Sequence, residues 1–210
     1  VGHQRIYGNL QPEHLNAAAI SKRIEAFADQ AFRRPPVEGE LDPIQQLIQE
    51  KLKEGVEPLK ALQLGCQAIL CSPGFLYLNL GEGELSENAL ASRLSYFLWS
   101  SPPDKTLLDL ARAGQLKTEL TAQVTRMLAD SKSDRFVTHF IRRWLDLDNI
   151  GTMPPSEDFL VFYRDNLESA MRAETEMFFR HVLDNNLPLS EFLGANYTFL
   201  NRELATHYGI

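Results

Sequence analysis

The chain has 210 residues, enough for one large domain or two small ones that fold without staples. Apolar residues make up 44% and charged residues 23%, an ordinary globular balance. A net charge of -7 argues against nucleic acid or an anionic membrane surface as the main partner, since both select basic patches.

The apolar spacing is helical almost throughout. A first helix is expected over 12–31, with Pro12 in its first turn and Ile20, Ile24, Phe27 and Ala31 along one stripe. Arg33-Arg34-Pro35-Pro36 stops it, and the two arginines read as solvated surface. The next helix, about 40–53, aligns Leu41, Ile44, Ile48 and Leu52, with Gly55 as its C-terminal cap. A third starts at Glu57-Pro58, aligns Leu59, Leu62, Cys66 and Ile69, and ends at Ser72-Pro73-Gly74. Short connections make these a small three-helix subdomain over 1–80.

The glycine- and glutamate-rich break at 79–84 separates it from a larger helical domain over 85–210. Ser86 caps a helix there, with Leu85 and Leu90 at staple positions and Leu90, Leu94, Phe97 and Leu98 as its buried face. After Ser101-Pro102-Pro103, Leu107, Leu108, Leu110 and Ala111 drive a short helix ending at Gly114. Thr118 opens another, with Leu120, Val124, Met127 and Leu128 inward. Ser133-Asp134 caps the next, whose Phe136, Val137, Phe140, Ile141, Trp144 and Leu145 face a core. Past a second break at 151–155 a long helix is expected over 157–184, with Leu167, Met171, Phe178 and Val182 in register. Ser190 caps a brief turn, and Asn201 caps a last helix that Gly209 terminates. The fold class is therefore all-α, a multi-helix bundle of about nine helices. No apolar run reaches the 18 or so residues of a membrane span. A start at Val1 without methionine and an end at Ile210 read as an internal fragment of a longer chain.

Chemical signatures are sparse. Cys66 and Cys71 lie five apart on helix, roughly 7.5 Å along the axis and on diverging faces, which reads as two buried free thiols. The chain has no Cys-x-x-Cys-His for covalent haem. None of His3, His14, His139, His181 and His207 belongs to a close-spaced ligand motif, although Glu203 and His207 share a helix face. Glu174 lies between Met171 and Phe178, beside the apolar stripe of the long helix. An inward carboxylate must be paired or raise its pKa, so it reads first as an ion pair to Arg93 or Arg143 that fixes helix packing. Tyr96, Phe97, Trp99, Trp144, Phe178 and Phe179 are spaced for core packing.

Two stretches resemble a known family. Phe27-Ala-Asp-Gln-Ala-Phe-Arg-Arg-Pro35 through Ser72-Pro-Gly-Phe-Leu-Tyr77 is one. Arg93-Leu-Ser-Tyr-Phe-Leu-Trp99, Arg126-Met-Leu-Ala-Asp130, Trp144-Leu145, Glu174-Thr175 and Asn196-Tyr-Thr-Phe-Leu-Asn201 with His207-Tyr-Gly209 make the other. The chain resembles the large secreted proteins, typical of planctomycetes, that join a c-type cytochrome domain to tandem domains of unknown function, 1595 over about 24–78 and 1592 over about 85–210. Gly74 departs from that pattern, where a basic residue is usual. The resemblance implies an extracytoplasmic protein whose partners are neighbouring domains of the same polypeptide, with haem c in a separate domain and no cofactor in this chain. It carries over no catalytic residue.

Two readings follow. One is a docking or scaffold module of a large exported cytochrome-c-linked protein. The other is part of a haem-linked oxidoreductase whose pocket is completed by further domains. Arg93, Trp99, Asp104, Glu174, Asn201 and His207 are the candidates for a pocket wall or partner-facing surface. Asp104 and Asn201 also stand at expected helix starts, where their type caps a helix.

Overall fold

The computed structural model describes residues 15–78, 83–152, 156–157 and 167–210. Pro12, His3 and His14, most of the break at 79–84, Met153 to Pro155 in the second break, and the expected helix at 158–166 lie outside them. The described chain is all-α: it contains no strands and eleven helices, nine of seven residues or more. They are α1 Ala17–Phe32, α2 Asp42–Lys53, α3 Pro58–Leu70, α4 Pro73–Leu76, α5 Glu87–Trp99 and α6 Lys105–Arg112. Then come α7 Leu120–Leu128, α8 Asp134–Trp144, α9 Leu167–Asp184, α10 Glu191–Gly194 and α11 Arg202–Tyr208. No helix among the described residues is long and apolar enough to cross a membrane.

The chain forms two compact units. One takes residues up to Ser95 with Pro102–Glu119, and the other takes Tyr96–Ser101 with Leu120–Ile210. The dividing line thus runs through α5.

In the first unit, α1, α2 and α3 bury one contiguous core that includes Ile20, Ile24, Ile44, Ile48, Leu62 and Ile69. Gly65 sets how closely α3 approaches its neighbours. A Cβ there would lie 2.6 Å from the Cδ1 atoms of both Ile24 and Ile48. Asn16 caps α1 by accepting from the Ala19 amide at 2.8 Å. Gly55, at φ +84°, closes α2 as the spacing predicts: its amide reaches Leu52 O, and the Val56 amide reaches Lys51 O. Gly114 ends α6 in the same way.

The arginine pair after α1 is not solvated surface. Arg33 adopts φ +61° and is buried, and its guanidinium donates to the carbonyls of Gly74, Phe75 and Tyr77, each at 3.2 Å. Those carbonyls around the short α4 have no helical partner, so the arginine does what a longer helix would do for itself. Arg34 holds Glu40 in a two-pronged pair at 2.7 and 2.8 Å. That bond raises the Arg34 pKa and holds the Glu40 carboxyl below its usual range. Gly74 fits the same corner: a Cβ would stand 3.0 Å from the Phe32 ring and 3.1 Å from Glu40 Oε1. A longer side chain there would displace the ring that closes the core.

The cysteines also differ from expectation. Both are free, but only Cys66 is buried, whereas Cys71 at the end of α3 is exposed. The α5 stripe is shifted as well. Ala89, Ala91, Ser92, Ser95, Leu98 and Trp99 are its closed positions, and Phe97 is open.

In the second unit α8 and α9 pack through Val137, Ile141 and Phe179, joined by Leu147 from a 3-10 turn. Leu167 and Ala170 of α9 pack on Leu204 of α11. Arginines of α9 tie these elements together. Arg180 donates to Ser133 Oγ at 2.8 Å and also reaches Asp134 and Leu128 O. Arg172 donates to the carbonyls of Leu147 and Ile150. Ser133 was expected to cap α8 but is fully buried and donates to Leu128 O, while Asp130 caps the turn before it. The Ser190 side chain makes no cap to α10.

Candidate functional site

Helix α8 carries its apolar residues in a stripe two positions wide. Val137 and Ile141 point into the core, and Phe136, Phe140 and Trp144 follow one residue out of phase. Phe140 is 40% exposed, Trp144 53% and Phe97, at the end of α5, 56%. Their rings are in contact: Phe97–Phe136 at 5.0 Å between centroids, Phe136–Phe140 at 5.4 Å and Phe140–Trp144 at 5.9 Å. The expected core placement of Phe97, Phe140, Trp144 and Leu145 is therefore corrected, because one helix covers only one edge of so wide a stripe. What remains is a continuous aromatic ridge in water. On one flank it borders an open hollow of about 570 Å³ that also takes in His139 and Arg143.

The other flank of Trp144 walls a cavity of about 370 Å³ between α8, α9 and α10. Phe178, Phe179 and Phe192 line it, Phe192 meeting Trp144 edge to face at 5.6 Å. Glu174 is the charged residue of this wall. Its Oε1 accepts from the Thr198 hydroxyl at 2.5 Å and its Oε2 from the Tyr208 hydroxyl at 2.8 Å. The bond to Glu174 raises the Tyr208 phenol pKa, with burial and the carboxylate charge adding to it. The expected ion pair of Glu174 with Arg93 or Arg143 is not formed. Two hydroxyls satisfy the carboxylate instead, and it is Glu176 that pairs, with Arg142 at 2.7 Å.

The remaining candidates separate by role. Trp99 is fully buried, donates its indole N–H to Met127 O at 2.9 Å and lies under Lys132 and Arg126. Asp104 caps α6 through the Leu107 amide at 3.0 Å, and Asn201 caps α11 through the Leu204 amide at 2.9 Å. Arg93 is exposed on α5. His207 is exposed next to Tyr208. Among the described residues, no three His, Cys, Asp or Glu side chains converge as metal ligands do. Of the six, Glu174 lines the cavity between α8, α9 and α10. Sequence reasoning missed Thr198, Phe192 and the outward role of Phe140; the usable signal was the doubled width of the α8 stripe.

Residues 85–210 match the family described as protein of unknown function (DUF1592), which is more than half of the chain. The chain belongs to the DUF1592 family. Residues 19–79 match a second description, protein of unknown function (DUF1595), so the two matches stand in tandem. No curated protein and no solved structure matches the chain. The DUF1592 match starts before α5, whereas the compact second unit begins within that helix at Tyr96 and omits Pro102–Glu119. The aromatic ridge, the Glu174 cavity and the α11 cap all fall inside the DUF1592 segment.

Proposed function

We propose that this chain is a docking module of a large exported protein linked to a c-type cytochrome, and that the ridge Phe97–Phe140–Trp144 is its docking surface. The observation that carries the reading is the exposure of those three rings in a row that the half-buried Phe136 makes continuous between Phe97 and Phe140. A domain rarely leaves such a patch in water unless another surface covers it. Aromatic side chains also supply most of the anchoring energy where proteins meet. The partner is a neighbouring domain of the same polypeptide, the cytochrome domain included, and the protein works outside the cytoplasm. Haem c belongs to that other domain, and this chain holds no cofactor of its own. The basic rim of His139 and Arg143 favours an acidic border on the partner. The oxidoreductase reading has less support, because Trp99 is held in packing by Met127 O, and Asp104 and Asn201 each cap a helix.

The test is dye binding with sedimentation on the purified chain. The parent should bind an anilinonaphthalene dye or self-associate, and Phe140→Ser with Trp144→Ser should abolish this while leaving far-UV circular dichroism unchanged. A parent that is monomeric and binds no dye would overturn the proposal.

A further inference from the structure

The cavity on the far flank of Trp144 has a composition of its own and goes beyond the docking reading. Its walls are the rings of Trp144, Phe178, Phe179 and Phe192, and its polar groups include Glu174 and Thr198. Its volume, about 370 Å³, falls in the range of small-molecule sites. Each Glu174 oxygen accepts a hydroxyl hydrogen bond, from Thr198 and from Tyr208, so the acceptor is held in place. Both donors lie C-terminal to α9, so the carboxylate is fixed in orientation by groups outside its own helix.

We infer that this cavity binds an organic ammonium ion carrying apolar substituents. An anion is disfavoured by the carboxylate, since neither Lys nor Arg lines the cavity. A hard metal ion needs several oxygen ligands, and here one carboxylate stands among rings. A neutral apolar ligand would strip water from the carboxylate and return nothing to it. An alkylammonium ion satisfies both halves of the wall: its charge faces Glu174, and its alkyl groups meet the negative faces of aromatic rings. Its weak hydration makes the transfer from water easier than for a bare ammonium.

The test is a titration of the full chain with benzyltrimethylammonium, followed by the indole N–H resonances in a ¹H–¹⁵N spectrum. Its two tryptophans make the readout selective. Trp144 should shift saturably while Trp99, buried elsewhere in the unit, stays put. An isosteric pair, cationic choline against neutral 3,3-dimethylbutanol, separates charge from shape: the cation should bind at least tenfold more tightly. Glu174→Gln keeps an acceptor for one of the two hydroxyls and offers an N–H to the other, which can turn to accept it, and should weaken binding about tenfold. No saturable shift, equal binding of the neutral isostere, or an unaffected Glu174→Gln protein with native spectrum would each overturn the inference.

Discussion

Replacing Trp99 with Phe separates a core role from a pocket-wall role. The indole is fully buried, and its N–H donates to Met127 O at 2.9 Å. That carbonyl keeps a second donor, the Asp130 amide at 3.3 Å, so the substitution does not orphan it. The hydrogen-bond loss is thus the net value, about 1 kcal/mol, instead of a full desolvation penalty. The smaller ring leaves a void of roughly 40 Å³, worth about 1 kcal/mol at about 24 cal/mol per Å³. Lost transfer energy of the missing atoms adds up to about 1 kcal/mol. Lys132, at 4.2 Å from the ring centroid, keeps a cation–π contact with the phenyl ring, though a weaker one. The sum is about 2–3 kcal/mol, which for a chain of this size lowers Tm by roughly 4–12 °C. Thermal and urea unfolding followed at 222 nm would measure it. A shift below about 1 °C would show that Trp99 is not the packed, hydrogen-bonded anchor described above.

Thiol reactivity and tyrosine titration test two further local claims. Burial pushes the Cys66 thiol pKa up, whereas Cys71 is exposed. One equivalent of Ellman's reagent should therefore react quickly in the native chain and the second only on unfolding; two fast thiols would contradict the burial of Cys66. The Tyr208 pKa is raised by its bond to Glu174. Because the folded value exceeds the unfolded one, the stability this group contributes is whole below about pH 10 and is lost as the pH rises through the folded value. In Glu174→Gln the Tyr208 ring, followed by ¹³C resonances, should titrate at lower pH than in the parent. An unchanged midpoint would refute the Glu174–Tyr208 bond.

Local punctuation was legible in the chain itself. Ser86, Asp104 and Asn201 cap α5, α6 and α11, and Gly55, Gly114 and Gly209 end helices. These are contacts within a few residues, so residue type and spacing settle them. The all-α class and the α1–α3 core follow from the same short-range periodicity. Charged and wide-striped residues were misread for the opposite reason. Arg33 reads as solvated until carbonyls more than forty residues away surround it, and Glu174 finds its donors at Thr198 and Tyr208, 24 and 34 residues on. Helix α8 has one stripe in sequence, yet the packing of α9 covers Val137 and Ile141 and leaves Phe140 and Trp144 open. Periodicity fixes which residues share a helix face; only the neighbouring helices decide how much of that face is taken from water, and here the uncovered part is the candidate site.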